Sequence, residues 1–203
     1  LLKMDFLGLK TLSIIKDAVK MVMEGRGIEI DIDEVDLEDQ YTYELFQRGE
    51  TVGIFQYESP GMQKHLKELR PNKFEDLIAM NALYRPGPME NIDAFIARKH
   101  GSEKIDYLHP KLEPILKETY GIIVYQEQVM RIASDLAGFS LAKADILRRA
   151  MGKKKKSEME KMHIQFKEGC LSKGLDENTA EAMFDLIAKF ASYGFNKSHS
   201  AAY

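Results

Sequence analysis

The stretch EQVMRIASDLAG, residues 127–138, indicates a helical fold. Its apolar residues recur at spacings of three and four, which places them on one face of a helix. They are Val129, Ile132, Ala133 and Leu136. Gly138 follows at the position where a helix typically ends. This stretch therefore predicts an amphipathic helix that stops at Gly138.

Similar patterns and breaks predict helices along most of the chain. The predicted helices cover residues 11–25, 41–50, 59–69, 74–83, 90–101, 127–138, 141–151, 158–174 and 178–192. Strands are few and short. Residues 1–9 and 51–56 are strand candidates, 121–126 is a strand or a buried turn, and 28–39 is a linker or surface strand. The fold class expected is mainly α with a few short strands (α+β).

The composition is that of an ordinary globular protein, with 44% hydrophobic and 30% charged residues and a net charge of −3. The single cysteine excludes a disulfide framework and favours a cytoplasmic location. No apolar run reaches the length of a membrane span, and no signal peptide is visible. The terminal sequences LLKMDF and SHSAAY are typical of the interior of a longer chain, so we expect a fragment.

Positive charge is concentrated in one segment. Between residues 143 and 167, nine Lys or Arg residues face three acids, a local charge of about +6. Lysines 153–156 precede a predicted helix start, whose free N–H groups and dipole attract anions. Arg148 borders an apolar stripe of Leu141, Ala144, Leu147 and Met151, so its guanidinium should reach into a cleft. The segment predicts a phosphate site, and the alternative is a solvated lysine loop with a snorkelling arginine.

A second basic helix start is predicted near the carboxyl end, in YGFNKSHSAAY, residues 193–203. Gly194 is expected to end the preceding helix. Asn196 or Ser198 would cap the next helix, and Lys197, Ser198 and His199 would lie at its start. An ordinary cap with a surface histidine is the alternative. If both basic helix starts face one pocket, that pocket should bind a triphosphate.

One carboxylate near the amino end suggests metal chemistry. If Asp5 ends a strand, it could bind a divalent metal, with Lys3 beside it on the same face. Two-metal phosphoryl chemistry needs two or three converging carboxylates, so Asp5 alone is insufficient. The histidine and cysteine spacings do not form a zinc site.

Seven blocks, in this order, closely resemble bacterial DNA polymerase III alpha subunits, the C-family replicative polymerases. They are KMDFLGLKTL, FQYESPGM, ALYRPGPM, ARKHG, TYGIIVYQEQVM, ILRRAMGKKK and YGFNKSHSAAY. The resemblance covers nearly the whole chain. It implies the end of a polymerase-beta-like palm at residues 1–10 and a helical fingers domain at residues 11–203.

The resemblance also implies roles for individual residues. DFLGL carries the third of three catalytic aspartates of the family, which falls on Asp5, with Lys3 beside it. The nucleotide-binding residues expected are Arg148, Arg149, Lys153, Lys197, Ser198 and His199, with Arg85 and Gln126 added from their places in matching blocks. Lys154 and Lys155 could reach the triphosphate or the template backbone, and they are assigned to DNA binding.

The implied reaction is template-directed nucleotidyl transfer from a dNTP to a primer 3′ end with two magnesium ions. This chain alone is expected to be inactive, because two of the three aspartates are missing. The implied partners are primer-template DNA, dNTP and other replicase subunits, including the sliding clamp. Two alternatives stay open: a non-enzymatic helical module that binds nucleic acid or protein, and a translesion paralogue.

Overall fold

The computed structural model describes residues 9–153, 156–190 and 193–203, with the side chains of 151–153 and 156 excepted. The described α-helices are α1 (Lys10–Arg26), α2 (Gln40–Arg48), α3 (Pro60–Leu69), α4 (Phe74–Leu83), α5 (Ile92–Lys99), α6 (Glu113–Leu116), α7 (Gln126–Ala137), α8 (Leu141–Lys153), α9 (Lys156–Ser172), α10 (Glu177–Phe190) and α11 (Lys197–Ala202). Short 3₁₀ helices cover Ile32–Glu34, Pro88–Asn91, Pro110–Leu112 and Lys117–Thr119.

The chain divides into two compact units, one ending at Asp39 and one running from Gln40 to Tyr203. In the first unit, α1 buries none of its residues and ends at Gly27, which adopts the left-handed conformation. Residues 28–39 contain the 3₁₀ turn Ile32–Glu34, which the Asp31 side chain caps. Of the two interpretations of 28–39, the surface strand is wrong, because these residues form no strand. The linker stays a prediction, since residues 28–39 belong to the first unit.

The second unit has one hydrophobic cluster around α7. The predicted stripe of α7 is confirmed, because all four of its residues are fully buried. Helices α6, α8, α9 and α10 supply most of the other buried residues of this cluster, and the connecting segments add the rest. On α8, the buried face is formed by Ala144, Leu147 and Ala150, whereas Leu141, at the first helical residue, is 74% exposed. The predicted stripe was therefore wrong at Leu141.

A second hydrophobic cluster lies among α2, α3, α4 and α5. Pro60 stands in the first turn of α3, and the Ser59 side chain caps that helix. Ile122, Val124 and Tyr125 also belong to this cluster. Ile123, between them, belongs to the first cluster. The segment that leads into α7 therefore contributes to both clusters, while α7 itself packs in the first.

A buried glutamine fixes this segment. The Gln128 Oε1 accepts hydrogen bonds from the backbone N–H groups of Val124 (2.8 Å) and Tyr125 (3.0 Å). Its Nε2 donates to Thr119 Oγ1 at 2.8 Å. Residues 122–125 are therefore a buried segment outside any named strand, with a turn at Gly121 before it and the start of α7 at Gln126 after it. This is nearer to the buried turn than to the strand of the two alternatives expected from the sequence.

The mainly α part of the expected class is confirmed, and the few short strands are corrected: the regular elements of the described residues are helices, and the only β pairing among them is an isolated parallel bridge between Tyr125 and Phe195. Residues 51–56, a strand candidate, form turns. Gly53 and Gln56 have φ values of 80° and 68°, which a strand does not accommodate. The strand expected from the palm falls mostly on residues 1–8, outside the described residues.

None of the helices described here combines the length and the apolar character that crossing a lipid bilayer requires.

Candidate functional site

The carboxyl-terminal residues 193–203 dock on the second unit's α4. The Asn196 side chain caps α11 by accepting the N–H of His199 at 2.9 Å, so one of the two cap candidates is confirmed. The buried Ser200 hydroxyl donates to the Ile78 carbonyl of α4 at 2.7 Å. These contacts fix the position of α11 and of the residues it carries.

Gln126 joins the start of α7 to this segment. Its backbone N–H donates to the Phe195 carbonyl at 2.9 Å, and its Nε2 donates to the Gly194 carbonyl at 3.0 Å. A glycine that ends a helix commonly adopts the left-handed conformation, but Gly194 does not. A side chain is excluded at this position for lack of space, because a Cβ would lie 2.9 Å from Gln126 Cγ.

Arg148 meets the same glutamine from α8. Its Nη1 donates to Gln126 Oε1 at 3.2 Å, and its Nε donates to Asp145 Oδ1 at 2.9 Å. Its side chain is 32% exposed, which fits a guanidinium lying in a cleft. A chain of hydrogen bonds therefore links Arg148 through Gln126 to Gly194.

Asp145 binds two arginines at once. Arg149 Nη2 lies 2.7 Å from its Oδ2, while Arg148 occupies Oδ1. The hydrogen bond from Arg148 is the main cause that lowers the pKa of Asp145 below its ordinary value. Two guanidinium groups share one carboxylate, so this cluster keeps a net positive charge of one.

Lys197 is paired with acids of its own chain. Its Nζ lies 2.5 Å from Glu118 Oε1 and 5.6 Å from the centre of the Tyr125 ring. Its backbone N–H donates to both carboxylate oxygens of Glu127 at 3.2 Å. A phosphate at the start of α11 would have to compete with these two carboxylates.

Arg85 lies at a cavity of about 220 Å³. Its guanidinium stacks on Phe195 at 4.3 Å from the ring centre, and its Nη2 donates to the Tyr193 carbonyl at 2.9 Å. Burial lowers the pKa of this group. No ion pair joins Arg85 to a carboxylate among the described residues. The cavity is lined by Gln56, Met62, Asn81, Tyr84, Arg85, Phe195, His199 and Tyr203.

Some of the described candidates are linked to residues 193–199, whereas the described ion pair of Arg149 is with Asp145. Arg148 and Gln126 approach this segment through Gly194, and Arg85 approaches it through Tyr193. His199 is exposed and lines the Arg85 cavity. Ser198 is also exposed, and no hydrogen bond of its side chain is described.

Several predicted residues fall elsewhere. Lys3, Asp5, Lys154 and Lys155 lie outside the described residues. Lys153 is the last residue of α8, and its side chain also lies outside them. Within the described part of the chain, no three His, Cys, Asp or Glu residues are grouped so that they could hold a metal ion.

Sequence reasoning missed the acids that hold these cations. Asp145 precedes the two arginines by three and four residues, and this helical spacing was a usable signal. Glu118 lies 79 residues before Lys197, and no local pattern connects them. Gln56 and Asn81 were also missed, because only the folded chain brings them to Arg85.

Comparison with known proteins identifies the family. Residues 11–174 match the sequence profile described as "Bacterial DNA polymerase III alpha subunit finger domain". The chain belongs to this finger domain family. The match includes Arg85, Gln126, Arg148 and Arg149, whereas the carboxyl-terminal segment with Lys197 and His199 follows it.

The finger domain is also similar to full-length relatives. It is 55% identical to the DNA polymerase III subunit alpha of Caulobacter vibrioides and 53% identical to that of Bacillus subtilis, over all 203 residues in both cases. It is 53% identical to that of Thermus aquaticus over 208 residues. The chain spans 17–18% of the length of these relatives.

Proposed function

We propose that this finger domain works within a replicative DNA polymerase that transfers nucleotides from dNTP to a primer 3′ end, directed by a template. Its role is to bind the incoming nucleotide. On this proposal the residues at the triphosphate are Arg148, Arg149, Lys153, Lys197, Ser198, His199, Arg85 and Gln126. Lys154 and Lys155 contact the DNA backbone, and the palm ends near residue 10.

The observation that carries the proposal is the hydrogen-bond chain from Arg148 through Gln126 to Gly194. It connects the block ILRRAMGKKK with the block YGFNKSHSAAY. Residues of both blocks were assigned to the triphosphate, although Arg148 and Gly194 lie about 50 residues apart in the sequence. Two polar side chains that hold each other in a cleft are preorganised, so binding a ligand costs them little conformational entropy. This suits a site that must grip each nucleotide in the same geometry.

Electrostatics favours Arg85, Arg148 and Arg149 as the main phosphate-binding residues. Two arginines share one carboxylate, and Arg85 has no acidic partner among the described residues. Guanidinium groups bind phosphate oxygens through two parallel hydrogen bonds. During transfer, fixed cations neutralise the charge that develops on the pyrophosphate leaving group. Lys197 must separate from Glu118 before it can take part.

The proposed reaction also needs metal ions, and we expect their ligands outside the described residues. Polymerases of this kind use two magnesium ions, which supply electrostatic stabilisation of the transferred phosphate. The described residues offer no group that fits such an ion. We assign one magnesium ligand to Asp5, with Lys3 beside it, because DFLGL resembles the block that carries a catalytic aspartate in this family. We expect the other ligands in the remainder of the polymerase, and this chain alone to be inactive without them.

The remaining parts of the proposal follow from the chain's membership of the DNA polymerase III alpha finger domain family. On this proposal, the intact polymerase acts with primer-template DNA, dNTP and other replicase subunits, including the sliding clamp, in the cytoplasm.

The test is Arg148→Ala in the full-length polymerase, with Arg131→Ala as control. Arg131 is also a helical arginine paired with an aspartate, Asp135 at 3.5 Å, but on the exposed part of α7. Loss of a charged hydrogen bond to phosphate costs about 1–3 kcal/mol. We expect Arg148→Ala to raise KM for dNTP by about 10- to 100-fold, and Arg131→Ala to leave it unchanged.

Steady-state incorporation and dNTP titration in low salt measure both values. If Arg148→Ala keeps the wild-type KM and turnover, Arg148 is not in the nucleotide site. If the wild-type full-length protein incorporates no dNTP but binds DNA through lysines 153–156, the helical binding module replaces the polymerase. Error rates opposite damaged templates distinguish a translesion paralogue.

A further inference from the structure

Gln56 has an unusual backbone conformation at the edge of the Arg85 cavity. Its φ is 68°, in the left-handed region that residues other than glycine adopt at a cost in energy. Such strain persists only where the surrounding structure imposes it, and it concentrates at functional sites.

Both neighbours of Gln56 hold it in this conformation. The Phe55 ring stacks on Tyr203 at 5.4 Å, next to the end of α11. Tyr57 is buried: its hydroxyl donates to the Leu77 carbonyl at 2.9 Å, and its own carbonyl accepts the buried Thr51 hydroxyl at 2.7 Å. With both flanking residues anchored, the backbone at Gln56 has no freedom to relax, and its side chain lines the cavity.

The chemistry of the cavity separates into two parts. Arg85 supplies positive charge, whereas Gln56 and Asn81 supply neutral amides beside aromatic walls from Tyr84, Phe195 and Tyr203. A neutral amide both donates and accepts hydrogen bonds, which suits sugar hydroxyls and base edges better than phosphates. All four bases present an acceptor on their minor-groove edge, so one amide donor can serve any nucleotide.

We propose that the strained Gln56 is a nucleoside-contacting residue, whose amide binds the sugar or minor-groove edge of the nucleotide held at the Arg85 cavity. This inference rests on the proposed function. It assigns Gln56 to the nucleoside part of the ligand and leaves the triphosphate to the residues already proposed for it.

The strain makes a sharp experiment possible in the full-length polymerase. Gln56→Gly removes the amide and relieves the backbone, so we expect a higher melting temperature together with a higher KM for dNTP. Gln56→Ala removes the amide and keeps the strain, so KM rises without the gain in stability. Loss of one neutral hydrogen bond corresponds to about a fivefold rise in KM. The kcat should change little, because the contact exists before and during transfer.

Arg70→Gly is the matched control. Arg70 is also a left-handed residue other than glycine, with φ of 49°, but it is exposed at the end of α3 and does not line the cavity. It should gain stability like Gln56→Gly and keep the wild-type KM. Inhibition by inorganic pyrophosphate should be the same in all variants, because Gln56 does not touch phosphate.

The outcomes separate the two proposals. A wild-type polymerase that incorporates dNTP, with unchanged KM in both Gln56 variants, overturns the role of Gln56 alone. Weaker pyrophosphate inhibition in the Gln56 variants also overturns it, because the amide would then bind phosphate. A wild-type protein that neither incorporates nor binds dNTP overturns the proposed function and this inference together.

Discussion

Two serines of the carboxyl-terminal segment, two residues apart, have different environments. Ser200 is buried and donates to the Ile78 carbonyl at 2.7 Å, whereas Ser198 is exposed. The sequence KSHSAA gives no indication of which serine faces inward, because the partner is 122 residues away. The position of α11 therefore depends on Ser200, although the candidate ligand contacts were assigned to Ser198 and its neighbours.

We expect Ser200→Ala to destabilise the chain by about 0.5–1.5 kcal/mol, the net contribution of one hydrogen bond. Urea unfolding followed by circular dichroism measures this change. Ser198→Ala is the control, and we expect it to leave the unfolding free energy unchanged. Equal stability of the two variants would show that the contact to α4 does not hold α11 in place.

At the level of single residues, local contacts could be predicted from the sequence and long-range contacts could not. The Asn196 cap and the partial burial of Arg148 follow from local patterns of cap residues and apolar spacing, and both are confirmed. The ion pair of Lys197 with Glu118 does not follow, because a long-range pair leaves no periodic signal in a single sequence. Roles at the nucleotide stay predictions.

At the level of helices, existence was more predictable than packing. The helix 127–138 was expected from its apolar spacing, and α7 runs from Gln126 to Ala137. The strand candidate 51–56 was wrong because left-handed residues turn the chain there. Which helices cross α7 closely depends on small residues whose partners lie far away in sequence.

Gly169 marks such a crossing between α9 and α7. A Cβ at this position would lie 2.2 Å from the Ala137 carbonyl oxygen. We therefore expect Gly169→Ala to destabilise the chain by about 1–3 kcal/mol, as overpacking does, despite the better helix propensity of alanine. Urea unfolding measures the loss.

Gly25→Ala on α1 is the matched control for this prediction. A Cβ at Gly25 meets nothing within 4 Å, so the variant should gain helix stability of about 0.5–1 kcal/mol. The neighbouring Cys170 gives a second measurement: it is buried, and burial raises the pKa of its thiol to about 11. A thiol reagent should therefore label Cys170 faster in Gly169→Ala, and equal labelling rates would contradict the close crossing.

Over the whole molecule, nearly all of the described buried apolar residues belong to one of two clusters. The buried members of both clusters lie between Tyr43 and Ile187. Helix α1 contributes none. The sequence predicts a boundary between palm and fingers at residue 10. The boundary between the two compact units is a different one and falls between Asp39 and Gln40. The sequence suggested a linker at 28–39. The buried apolar residues of both clusters all lie after residue 40, and which residues are buried is decided only in the folded chain.

We expect residues 40–203 to fold without residues 1–39, because the described hydrophobic clusters are complete within this range. The shortened chain should unfold in a single cooperative transition, with a melting temperature within a few degrees of that of the whole chain. Circular dichroism and calorimetry measure the transition, and dispersed amide signals in NMR spectra check the packing. A broad transition with collapsed NMR signals would contradict the prediction, since it would mean that α1 and the linker supply stabilising contacts to this unit.

The comparison also bears on the nucleotide proposal: Arg85, Gln126 and Arg148 all lie within residues 40–203, so their hydrogen-bond network should persist in the shortened chain.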